Sequence, residues 1–65
     1  MKTRYYFIPF RKGQMVDLGG YYEPDPAFAP DTALEKARQQ AVGLRCVYNY
    51  DSVSIEVEGV IVAVV

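Results

Sequence analysis

The sequence predicts an α+β domain, a small antiparallel sheet of three to five strands with one helix packed on a face. Three observations carry that expectation. Residues 2–10 (KTRYYFIPF) are dense in aromatic and β-branched side chains, the composition of a strand. Pro30, Asp31 and Thr32 precede a stretch whose apolar residues recur at helical spacing. Further on, Val53, Ile55 and Val57 alternate with Ser54, Glu56 and Glu58, the pattern of a sheet with one face in water.

In the first strand Pro9 has no amide hydrogen to give a neighbour, which predicts an edge strand or a strand end. On alternation Arg4, Tyr6, Ile8 and Phe10 share one face, and Tyr5, Phe7 and Pro9 the other. Arg11, Lys12 and Gly13 read as a turn, and 14–18 as a short second strand. Residues 19–30, GGYYEPDPAFAP, hold two glycines and three prolines and form the one irregular segment. Long loops in small domains are often functional.

The helix is expected over 32–42. Thr32 and Glu35 fit a capping box, in which each side chain satisfies the other's free backbone donor. Leu34, Ala37 and Ala41 make its inner stripe, and Gly43 is a natural stop. By composition 44–50 is a strand containing Cys46 as a small core hydrophobe, and 49–52 supplies a turn. Glu58-Gly59 predicts a hairpin turn or a bulge. From Val60 to Val65 there is no alternation, so this strand is expected to be covered on both faces or to pair across an interface, in a homodimer or with a partner.

The 65 residues make one domain, with a core close to the minimum a chain can live on. Small domains are usually reinforced by disulfides, a metal or a partner. A single cysteine rules out an internal disulfide, and with no histidine a zinc site of the usual ligands is not available. We therefore expect no cofactor and no metal, and reinforcement by a partner. The lone thiol fits a reducing cytoplasm. No signal peptide is visible, and the apolar run at 60–65 is far shorter than the roughly 20 residues that span a bilayer, so no membrane role is expected.

Charge is divided along the chain. The first twelve residues carry Lys2, Arg4, Arg11 and Lys12 with four aromatics and no acid; the rest holds three cations against all eight carboxylates. Without histidine the commonest general base is missing, and no phosphate-binding glycine loop is present. Asp17, Glu23 and Asp25 could pair as acid and base, but in a turn-rich loop carboxylates are usually just solvated. We expect no catalytic residue. In the loop Tyr21 and Tyr22 have the character of contact residues, since tyrosine offers large area at low entropic cost, and a role in the core is weighed equally. Phe28 is expected to fold back under the helix as a plug.

The order of elements, a basic aromatic strand, the alanine-rich helix TALEKARQQA and three C-terminal strands, resembles in outline the very small proteins that phages encode to inhibit host machinery, the compact anti-CRISPR proteins among them. That resemblance implies a non-catalytic protein that occupies a surface on a large host complex in the host cytoplasm. The contacts we expect are Tyr21, Tyr22 and Glu23 in the loop with Arg4, Arg11 and Lys12 on or beside the first strand. The alternatives are a single-stranded nucleic-acid binder using Arg4, Tyr6, Arg11 and Lys12, or a structural homo-oligomer. A net charge of −1 weighs against the nucleic-acid reading.

Overall fold

Two tight hairpins set the frame of this chain. The computed structural model describes residues 3–16 and 19–65. Strand β1 (Tyr5–Arg11) turns at Lys12-Gly13 into the two-residue β2 (Gln14–Met15), and β4 (Ser52–Val57) turns at Glu58-Gly59 into β5 (Val60–Val64). Both turns have positive φ at their two central residues, 53° and 75° in the first and 52° and 82° in the second. This backbone matches the right-handed twist of the flanking strands, and glycine takes the second position without steric cost. Of the two forms the sequence allowed at Glu58-Gly59, the hairpin is the one adopted. A bulge lies nearby, where the β4–β5 register shifts between Ile55 and Glu56.

A third short strand, β3 (Tyr21–Tyr22), arises inside the segment expected to be irregular, and the helix α1 spans Pro30–Tyr48. All strand pairs are antiparallel, in the order β2-β1-β4-β5 with β3 also on β1, so the five-stranded α+β fold is as expected. Strand β1 is therefore central, which corrects the edge position inferred from Pro9. Pro9 is tolerated because it falls where that flank is interrupted. The β2 ladder begins at Phe10–Met15 and the β3 ladder at Tyr6–Tyr21. The Pro9 carbonyl accepts from the Val16 amide at 3.0 Å, so its missing donor faces the same broken flank. Beside it Phe7 donates to Gly20 and accepts from Gly19. A Cβ on Gly19 would lie 3.3 Å from the Phe7 Cβ, a close approach that suits glycine. The second strand was expected to reach 18; Asp17 and Leu18 lie outside the described residues, as does Lys2.

The helix departs most from expectation. It begins two residues early, with Ala29 as N-cap, no side-chain cap bond and Pro30 in the first turn, so the Thr32–Glu35 capping box is not its start. Proline's fixed φ and absent amide suit that position, where the donor would be orphaned in any case. It also runs through Gly43 and consumes 44–48, which composition read as a strand. The stop is Asn49 in the left-handed region (φ 58°), with the Tyr50 amide donating to the Arg45 carbonyl at 3.0 Å. One interior glycine costs about 1 kcal/mol, less than the added helical bonds and the packing of Leu44 against the core return. The buried stripe is Ala33, Ala37 and Ala41; Leu34 sits beside it, partly buried. Cys46 lies on this helix and is exposed, not core filler in a strand.

These alanines pack the helix onto Tyr5, Phe7, Val53 and Ile55, with Val57, Ala63 and Val65 at the margin. Their missing bulk lets backbone and sheet approach closely, which is how so short a chain reaches full burial at Ala37, Ala41, Val53 and Ile55.

Candidate functional site, the open face of the sheet

The helix covers one face of the sheet, and register places Tyr6, Ile8, Phe10, Ser52, Ser54 and Glu56 on the other. Val64 stands opposite Ser54, Ile61 opposite Glu56, Met15 opposite Phe10 and Tyr21 opposite Tyr6. The apolar residues among these neighbours are well exposed, Tyr21 at 52% and Val64 at 60%. Ser54, small and buried, lies in a row between Ile8 and Val64. Exposed apolar residues gathered on one sheet face, here those of β1, β2 and β5 on either side of the polar row of β4, are a common feature of interaction sites. The expected lack of alternation over 60–65 has its counterpart here: Val60, Ile61, Val62 and Val64 are exposed, while Ala63 and Val65 pack on the core.

One corner of this face is built from expected contact residues. The Arg4 Nε donates to Glu23 Oε1 at 3.0 Å, and its guanidinium lies 4.7 Å from the centre of the Tyr21 ring. Tyr21 in turn packs against Tyr6, ring centres 5.7 Å apart. A side-chain hydrogen bond with Tyr6, followed by the one to Glu23, holds the Arg4 pKa above the ordinary arginine value. The β1–β3 pairing is what unites them, because Tyr21 stands across from Tyr6 while Arg4 precedes Tyr6 by two residues on the same face. Tyr22 faces the other way, partly buried and 6.5 Å from Tyr5, so it finishes the core and the two tyrosines take different roles.

Arg11 and Lys12 are not part of this corner. They lie at the opposite end of β1, roughly 23 Å away at about 3.3 Å per residue. There Arg11 donates to the Tyr48 carbonyl at 2.6 Å and covers the Tyr50 ring at 5.0 Å, which places a cation on the negative end of the helix. The Lys12 amide donates to Asp51 Oδ2 at 2.5 Å. A single surface holding all six expected contacts is therefore not formed; the two ends of β1 keep them apart.

Phe28, expected as a plug beneath the helix, is instead 40% exposed with the Lys36 ammonium 5.2 Å from its ring centre. It lines a hollow of about 310 Å³ with Tyr5, Pro24, Pro26, Pro30 and Ala33. Three proline rings of the loop thus form part of its wall, where their fixed φ stiffens the backbone. Among the described residues no group of three or more histidine, cysteine or carboxylate side chains could hold a metal, and no helix is long and apolar enough to cross a membrane. The sequence marked 60–65 as an interface strand without telling which of its residues, Ile61 and Val64, join the open face, and it did not mark Met15 at all. Their signal was weak, because an apolar residue has the same character on either face until pairing fixes the register. Comparison with protein-family models, with curated proteins and with solved structures finds no match to this chain.

Proposed function

We propose that this chain is a small non-enzymatic binding protein that acts by protein–protein contact, with the open sheet face and its Arg4–Tyr21–Glu23 corner as contact surface. The observation behind this reading is the coexistence of exposed apolar side chains with a preformed polar corner on one flat face. Protein interfaces have that anatomy: aromatic and aliphatic anchors supply affinity, and charged groups at the rim set specificity and rate. Occupying a surface of a larger complex, and thereby inhibiting it, is the form of action we propose for a chain of this size. The test is capture of a protein from lysate by the tagged chain. Capture that survives nuclease treatment and is lost in Tyr21→Ala supports the reading; capture unchanged by that substitution removes the corner from it.

A second reading has one observation in its favour. Tyr6, Phe10 and Tyr21 lie on an open antiparallel face with Arg4 beside them, an arrangement on which single-strand binders stack bases. Against it, the Arg4 charge is engaged by Glu23 and Glu56 shares the face. Affinity for a bare oligonucleotide that falls steeply with salt would put this reading first.

A further inference from the structure

The charges of this molecule are sorted by end. Where β1 begins and β4 ends lie Glu23, Asp25, Asp31, Glu56 and Glu58, against Arg4 and Lys36 among the described residues. Where β1 ends and α1 stops lie Arg11, Lys12 and Arg45, against Asp51. The hairpin tips mark the extremes. Tyr6 stands opposite Glu56 and Phe10 opposite Ser52, so the Lys12 and Glu58 turns are eight residues apart along the strands, about 26 Å. They also lie on opposite sides, one joining β1 to β2 and the other β4 to β5, at diagonal corners of the order β2-β1-β4-β5. Between the corners the open face carries Tyr6, Ile8, Phe10, Met15, Ile61 and Val64, with Ser52, Ser54 and Glu56 of β4 running between them.

We infer that the occupant of this face in the free protein is a second copy of the chain, packed face to face with its strands antiparallel to the first. A two-fold axis in the interface, running across the strands, brings Glu58 of one copy to Lys12 of the other and repeats the contact at the far corner. An axis along the strands would set Lys12 on Lys12 and Glu58 on Glu58. The charge pattern therefore selects one of the two packings. The lateral offset of the corners is taken up by the crossing angle of about 30° at which sheets pack face to face. Edge-to-edge pairing through β5 is disfavoured, because the extra residue at its bulge breaks the even spacing of donors and acceptors that a neighbouring strand needs. The strands, seven, six and five residues in β1, β4 and β5 with two each in β2 and β3, at about 3.3 Å per residue and about 4.8 Å spacing give a face of about 350 Å² per copy. Two such faces bury less than the roughly 1,000 Å² that a stable interface needs, so the dimer is weak and transient, with a dissociation constant on the order of micromolar or above.

The inference rests on the reading of the open face as a contact surface and names its occupant, and the test is run on the purified chain alone. Sedimentation equilibrium at low salt should show a monomer–dimer equilibrium, and Val64→Lys, a change at an exposed residue, should leave a folded monomer. Lys12→Glu and Glu58→Lys should each weaken association about fivefold or more, and an equimolar mixture of the two should restore it as a heterodimer. The two sites have nearly the same backbone, so each exchange places a residue where the other's conformation is already accepted. A wild-type monomer at millimolar concentration would overturn the inference. So would a mixture that associates no better than either variant. A monomer that still captures a nuclease-resistant protein partner through Tyr21 would sink only the dimer, whereas a dimer with no partner would sink only the binding reading.

Discussion

The two faces of this sheet are made by the same strands, yet one is a core and the other a surface. In β1 the residues facing the helix are Tyr5, Phe7 and Pro9, and those facing away are Tyr6, Ile8 and Phe10. By hydrophobicity the two sets are nearly equal. What separates them is the single helix, whose alanine stripe seals one side and leaves the other with only neighbouring side chains for cover. In β4 the difference is written into the residues, with Val53 and Ile55 inward and Ser52, Ser54 and Glu56 outward. The lesson is that apolar alternation marks a core only when an element exists to cover it; otherwise the surplus stays at the surface.

The sharpest way to break this comparison is on the covered face. Ile55→Ala removes a fully buried side chain from the centre of the core and should cost about 2–5 kcal/mol. A chain of this length is expected to have only about 3–10 kcal/mol of stability, so denaturant or thermal melts should show a protein at or near the edge of folding. A cost below about 1 kcal/mol would mean that the helix does not seal this face. Next in size is Ala37→Leu. Ala37 has no exposed area, so three added carbons must push the helix off the sheet, and the loss should be about 1–3 kcal/mol in the same melts. A gain in stability would reveal empty space under the helix. The smallest effect is expected on the open face, where Val64→Lys should change stability by no more than about 0.5 kcal/mol while altering association. A large destabilisation there would show that Val64 already packs within the single chain.

The helix offers a second lesson about legibility. Its first half could be read because Leu34, Ala37 and Ala41 follow helical spacing, and the true stripe of Ala33, Ala37 and Ala41 differs by one position. Its second half could not. Residues 44–48, LRCVY, have strand-like composition, and Gly43 before them has the form of a stop. Local propensity lost because extending a helix already nucleated costs little per residue and because Leu44 packs against the core while Arg11 meets the last carbonyls. The outcome leaves Cys46, Val47 and Tyr48 exposed, with Val47 at 77%, which composition alone would have put inside.

By itself the sequence determined the α+β class, the alternating faces of β1 and β4, the two turn positions and the pairing of tyrosines with basic residues near the N-terminus. Each of these depends on residues within a few positions of one another, where backbone geometry, turn chemistry and side-chain period act directly. Only the tertiary structure decided that β1 is central, that Arg4, Tyr21 and Glu23 form one corner while Arg11 and Lys12 lie at the other end, and which apolar face stays open. Those outcomes depend on contacts between residues 15 to 50 positions apart in the chain. Local preference leaves such pairings undetermined, and they are chosen by the one arrangement in which the alanine helix, Pro9 and the two hairpins are satisfied together.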